Sequence, residues 1–187
     1  MANIKWALDP NHSEVSFKIK HLMISTVSGR FKTFNLVAET EGADFTGVKK
    51  LEFSADIDSI DTNNEQRDGH LKSADFFDAA KYPQLTFVGK NYEVEGGEGK
   101  ISGDLTMHGV TKPLTLDVEV GGVTQDPYGN TKAGFTVTGK LNRKEFDLSW
   151  GVVTEAGSVL LADEVKIFAE IQLAKQVEAV AAAAVAG

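Results

Sequence analysis

Glu14-Val15-Ser16-Phe17-Lys18-Ile19-Lys20 is the stretch on which the reading of this chain turns. Successive side chains of an extended strand point to opposite faces, so Val15, Phe17 and Ile19 share one face and Ser16, Lys18 and Lys20 the other. The same parity returns at Leu51, Phe53, Ala55 and Ile57, at Leu114, Leu116, Val118 and Val120, and at Phe135, Val137, Gly139 and Leu141. It closes with Val165, Ile167, Ala169, Ile171 and Leu173. One wet face and one dry face per strand belong to antiparallel sheets, whereas parallel strands, covered on both sides, read as apolar throughout. Hairpin turns separate the runs, as at Glu95-Gly96-Gly97-Glu98-Gly99 and Asp126-Pro127-Tyr128-Gly129-Asn130. The expected fold is all-β, an extended antiparallel β-barrel of about eight strands joined mainly as neighbours, with a short helical insertion.

Three interruptions carry information. Phe31 and Phe34 cannot face the same side without an inserted residue, which places a bend near Thr33. Gly29, Gly103, Gly134 and Gly139 stand inside strand-like runs, where glycine permits coiling or the close approach of another group. The polar stretch from Asn63 to Asp78 has no strand parity; Asn64 is placed to cap a short helix, and Tyr82-Pro83 ends the irregular region before the next strand. Residues 1–173 are expected to form one barrel domain. Residues 174–187, mostly alanine and valine, are read as a tail too short to span a bilayer.

A chain of 187 residues is long enough to bury a sizeable core. Its net charge of −8 and its scattered lysines and arginines argue against nucleic acid as a partner. With no cysteine, disulfides and thiolate chemistry are excluded. The N-terminus runs directly into strand-like sequence without an apolar signal core, which points to a cytoplasmic location.

No catalytic constellation is apparent. His12, His21, His70 and His108 lie in four different segments without zinc-site spacing, and no serine stands in a nucleophile elbow. Gly96-Gly97-Glu98-Gly99 lies in a hairpin and not ahead of a helix, so it is no phosphate loop. An enzyme is therefore not expected, nor is a metal or cofactor. The 11 phenylalanines could fill the barrel or line a space for a guest, and period alone does not decide between them.

Several segments resemble the YceI-like family of lipocalin-like, polyisoprenoid-binding proteins. They are Asp9-Pro10-Asn11-His12-Ser13 with Val15-Ser16-Phe17 and His21, Val27-Ser28-Gly29-Arg30-Phe31, Ser59-Ile60-Asp61-Thr62-Asn63-Asn64, Arg67-Asp68-Gly69-His70-Leu71-Lys72, Asp75-Phe76-Phe77-Asp78, Tyr82-Pro83-Gln84-Leu85-Thr86-Phe87, the run from Gly103 to Pro113 and the run from Asn142 to Trp150. The resemblance implies an elongated apolar tunnel with a polar head group near its mouth, and a homodimer. The tunnel lining then falls to Phe17, Ile19, Phe31, Phe53, Ile57, Phe87 and Phe135. The mouth falls to His21, Asn64, Arg67, Asp68, His70 and Lys72, with Arg67 and Asp68 also able to brace the rim internally, and with Arg143 and Trp150 read as structural.

The expected function is non-catalytic binding, storage or transport of a long-chain polyisoprenoid or isoprenoid quinone, with transient membrane contact. Two alternatives stand beside it. One is an enzyme acting on an isoprenoid head group, with His21 or His70 as base and Asp68 as its partner. The other is a packed barrel serving as a stress-related interaction module.

Overall fold

The computed structural model describes residues 3–149 and 161–176. Its strands are β1 (Ile4–Leu8), β2 (Glu14–His21), β3 (Ser25–Phe31), β4 (Phe34–Thr40), β5 (Val48–Asp56), β6 (Ile60–Asp61), β7 (Gln84–Glu95), β8 (Glu98–Met107), β9 (Val110–Gln125), β10 (Thr131–Asn142) and β11 (Leu161–Lys175). One α-helix, α1 (Glu65–Lys72), lies between β6 and β7. Three pairs of these strands are halves of broken staves. A 3-10 turn at Pro10–His12 splits β1 from β2, the bend at Lys32 and Thr33 splits β3 from β4, and a second 3-10 turn at Ile57–Ser59 splits β5 from β6. Eight staves remain, each antiparallel to the next, and the ring closes where β11 pairs with both β1 and β2.

The closed antiparallel barrel is what the sequence parity predicts, and the bend falls at Thr33 as expected. Closure removes the edges that a sheet would otherwise expose. The inward residues of β2, β10 and β11 meet in register, with Phe17 opposite both Gly29 and Ile167, and Phe135 opposite Ile171. Gly29 has a steric reason to be glycine, because a Cβ there would run into the ring of Phe17. A bulge at Gly121 of β9, opposite the step from Gly134 to Phe135 on β10, bends β9 there.

The barrel floor is packed. Trp6, 1 % exposed, donates from Nε1 to Thr40 Oγ1 at 2.8 Å and meets Phe45 edge-on at 5.2 Å. Phe45 also contacts Phe135 at 4.7 Å and Tyr92 at 6.2 Å. It does so from the β4–β5 loop with φ +64°, a left-handed backbone that only strong packing holds for a bulky residue. Asp9, at the break between β1 and β2, ties three staves together. Its Oδ2 accepts from Lys132 Nζ at 3.0 Å and from Gln172 Nε2 at 3.3 Å, and lies 3.0 Å from His12 Nδ1.

Two expectations change. Strand β5 ends at Asp56, so Ile57 opens a 3-10 turn and sits in the core at 2 % exposure instead of continuing the inward row of β5. Strand β11 continues to Lys175, which pairs with Trp6, so the two residues after Leu173 belong to the sheet. Beyond Gln176 the alanine-rich tail lies outside the described residues, as does Trp150.

Candidate functional site

At the end of the barrel opposite Trp6 and Phe45, the inward side chains do not meet. They leave a cavity of about 730 Å³. Phe17 and Ile19 from β2, Phe31 from β3, Phe53 from β5 and Phe87 from β7 line it. A second space of about 120 Å³ lies toward the floor and shares Val15, Phe53, Phe87, Leu116 and Ile167 with the first, so these five side chains form a waist between the two. Phe135 borders only the smaller space, and Ile57 borders neither.

The mouth is built by the insertion. Asn64 caps α1, its Oδ1 accepting from the Arg67 N–H at 3.0 Å. The helix lies over the opening, with Asn64, Arg67 and His70 on the cavity wall and His21 contributing from the end of β2. Asp68 and Lys72 are not on the wall. Asp68 Oδ1 instead accepts from the Thr62 N–H at 2.9 Å and from Thr62 Oγ1, bracing the helix against β6. Arg67 shares that bracing role: Nε donates to Thr62 Oγ1 at 2.8 Å and Nη2 to the Thr62 carbonyl at 2.6 Å. His70 Nε2 stands 3.5 Å from Asp75 Oδ2, so Asp68 is not its carboxylate partner.

Parity and loop composition missed Leu71, Phe76 and Phe77, which close the roof, and Leu105, Met107 and Leu148 beside them. Adjacent aromatics in a polar insertion were the available signal for Phe76 and Phe77. Arg143 combines two roles. It is 1 % exposed and donates to the carbonyls of Ala162 (2.8 Å), Leu148 (2.5 Å) and Leu161 (3.3 Å), yet it also borders the cavity and lies 6.0 Å from the Phe76 ring. Burial pulls its pKa below the ordinary guanidinium value, and the Asp163 carboxylate opposes that shift.

The wall is therefore mostly apolar, and apart from Ser16 its polar groups gather around the mouth. Every ionisable side chain on it (His21, Arg67, His70, Arg143) is basic, and no described carboxylate lines it, in a chain whose net charge is −8. Such an arrangement sets hydrogen-bond donors around one end of an apolar space. Among the described residues, no group of histidines and carboxylates is arranged to hold a metal ion.

The family model described as the YceI-like domain matches residues 6–173. The chain belongs to the YceI-like family. A UPF0312 protein of Staphylococcus aureus (strain USA300) is 39% identical over 170 residues, covering 89% of this chain and 95% of the relative. The crystal structure of the Campylobacter jejuni YceI protein shares 39% identity and a TM-score of 0.72, over 91% of this YceI-like chain and 97% of its counterpart. The same fold appears at 15% identity, with a TM-score of 0.66, in a polyisoprenoid binding domain from Saccharophagus degradans implicated in plant cell wall breakdown, over 91% of this chain and 98% of that one.

Proposed function

We propose that this YceI-like barrel holds one long apolar lipid of polyisoprenoid or isoprenoid-quinone type, and binds, stores or carries it without chemical change. The observation that carries this reading is the cavity of about 730 Å³ running down from the α1 mouth, mostly apolar along its walls. Its size lies within the common range for buried small-molecule sites. The Saccharophagus domain, described as polyisoprenoid-binding, has the same barrel. At 15% identity that likeness speaks for the fold, and the ligand reading rests on the cavity itself.

Each methylene moved from water to the cavity gains about 0.8 kcal/mol, so release into water is strongly opposed for a long chain. Transfer to a bilayer is nearly neutral, because the membrane interior offers a similar environment. Head-group contacts at the mouth then decide the direction of loading. His21, Asn64 and Arg67 favour a head with acceptor oxygens or negative charge.

The two alternatives fit less well. A packed barrel acting through its insertion would fill its interior with side chains, and here it is hollow. For a head-group enzyme the expected partner Asp68 is committed to Thr62, and the carboxylate that does approach His70, Asp75, is exposed and off the cavity wall. The homodimer and the cytoplasmic location belong to the same proposal, to be read by light scattering and by cell fractionation.

The deciding experiment is to denature the purified protein, extract it with organic solvent and identify the lipid by mass spectrometry, alongside uptake of a prenyl chain by the refolded protein from detergent micelles. A protein that yields no lipid and takes none up defeats the proposal.

A further inference from the structure

Residues 22–24, at the tip of the β2–β3 hairpin, have the opposite chemistry from what such a turn selects. The Ile24 N–H donates to the His21 carbonyl at 3.2 Å, closing a turn whose central residues, Leu22 and Met23, both have left-handed backbone (φ +52° and +58°). Turns with two positive φ angles favour asparagine and glycine, because other side chains are strained there. Here two apolar residues occupy the strained positions, and Met23 and the following Ile24 are 61 % and 83 % exposed. The tip stands at the cavity opening, since His21 and Ser25 on either side of it both border the cavity.

The strand register supplies a second, independent observation. Lys140 lies opposite Lys166, and Lys166 opposite Lys18, so three exposed lysines stand side by side on the outer face of β10, β11 and β2. Lys20 follows on the same face, nearer the tip. None of the four takes part in an ion pair among the described residues. Glu164, on the mouth side of Lys166, is their acidic neighbour on β11. Like charges directly opposite in a sheet destabilise it. The sequence led us to expect scattered basic residues; register gathers these into a row, a local reversal of the net −8.

We infer that the Leu22-Met23-Ile24 tip and the Lys18, Lys20, Lys140 and Lys166 row dock the barrel onto an anionic phospholipid bilayer. Apolar side chains at the tip enter the boundary between head groups and acyl chains, while the ammonium groups meet lipid phosphates. At the rise of a strand, Lys20 and Lys18 lie roughly 7 and 13 Å from Leu22, and lysine stems are long enough to reach the surface as the barrel tilts. A convex tip of three residues is too small for a stable protein interface, but it suffices for interfacial anchoring supported by charge. The surface deepens the carrier reading above by bringing the cavity mouth onto the membrane, so a guest passes without crossing bulk water.

The test is co-sedimentation of the full chain with vesicles of phosphatidylcholine alone and of phosphatidylcholine mixed with phosphatidylglycerol. Wild type is expected to bind the mixed vesicles, less so as salt rises, and to bind neutral vesicles weakly. L22N/M23G gives the turn its preferred residues, so it should raise the unfolding temperature while cutting vesicle binding about tenfold or more. K18E/K166E should cut binding to mixed vesicles at least as strongly, roughly fivefold for each lysine removed. Absence of wild-type binding to mixed vesicles, or undiminished binding by L22N/M23G, overturns the inference. So does a lipid-free dimer that the tip variant abolishes, because a second copy of the chain would then be what covers the tip. Uptake from detergent micelles separates the two readings: a tip variant that loads from detergent but not from vesicles supports docking. A wild type that binds vesicles yet neither holds nor takes up lipid keeps the docking surface and sinks the carrier.

Discussion

Replacing Phe53 with alanine tests the cavity at its waist. The ring stands between the spaces of about 730 and 120 Å³, together with Val15, Phe87, Leu116 and Ile167. It is half-buried and leans on Phe34 at a centroid distance of 6.1 Å. A fully packed Phe→Ala change costs about 3–5 kcal/mol, part of it for the hole left behind. Phe53 already faces empty space on two sides, so the expected loss is nearer about 2 kcal/mol and the variant should fold. Its gain is in length. If one more isoprene unit fits where the ring was, the unit leaves water at about 0.8 kcal/mol per carbon, or about 3–4 kcal/mol in all, a preference of a few hundredfold. The assay loads wild type and F53A from detergent with an equimolar mixture of prenyl chains that differ by one unit, and reads the bound distribution by mass spectrometry. F53A should shift toward the longer chains. An unchanged distribution in a variant with native near-ultraviolet circular dichroism would refute the placement of the chain across the waist.

Other perturbations probe the remaining parts. Gly29→Val should push the Phe17 ring into the cavity, destabilise by about 1–3 kcal/mol and reduce loading, checked by chemical denaturation and lipid uptake. Trp6→Phe removes the bond to Thr40 at the floor and should cost about 1–2 kcal/mol in denaturant unfolding while leaving loading intact. Asn64→Ala removes the α1 cap, with an expected loss of about 1 kcal/mol if the helix unfolds with the barrel, or faster amide exchange confined to α1 if it does not. The hydrogen bond from Lys132 is the main cause holding the Asp9 carboxyl below its ordinary pKa. A lowered folded-state pKa gives stability that is present above the unfolded value and lost as pH falls through the folded one. Lys132→Ala should therefore lower the unfolding midpoint at neutral pH and converge with wild type once the pH has fallen through the lowered Asp9 value, and a difference independent of pH would contradict this.

Parity in the sequence identified most of the barrel because each strand has one wet and one dry face, and a single apolar row such as Val165 to Leu173 suffices to orient it. Where that logic stops, the residues show why. Ile57 keeps the parity of β5 on paper, but the backbone has turned at Asp56, so its side chain leaves the inward row. The rim was only half legible. Asn64 acts as the cap its type suggests, whereas both Arg67 and Asp68 brace Thr62 and only Arg67 also reaches the wall, a difference set by which side of one helical turn each residue occupies. Phe45 could not be found by pattern, because it reaches the floor from a loop with positive φ. The lysine row escaped for another reason: Lys18, Lys140 and Lys166 are far apart in the chain, and only hydrogen-bond register brings them together.

Strand β6 pairs with β3 on one side and gives way to the α1 insertion on the other. At that height the circumference is completed by a hatch held by side chains instead of a ladder of peptide bonds. Moving α1 with the segment bonded to it, through the Phe77 N–H to Leu71 and the Ala79 N–H to Lys72, exchanges the Thr62 contacts of Arg67 and Asp68 for water and uncovers Phe76 and Phe77, yet leaves every rung between the staves intact. Amide exchange should therefore register opening of α1 before β9 and β10 lose protection.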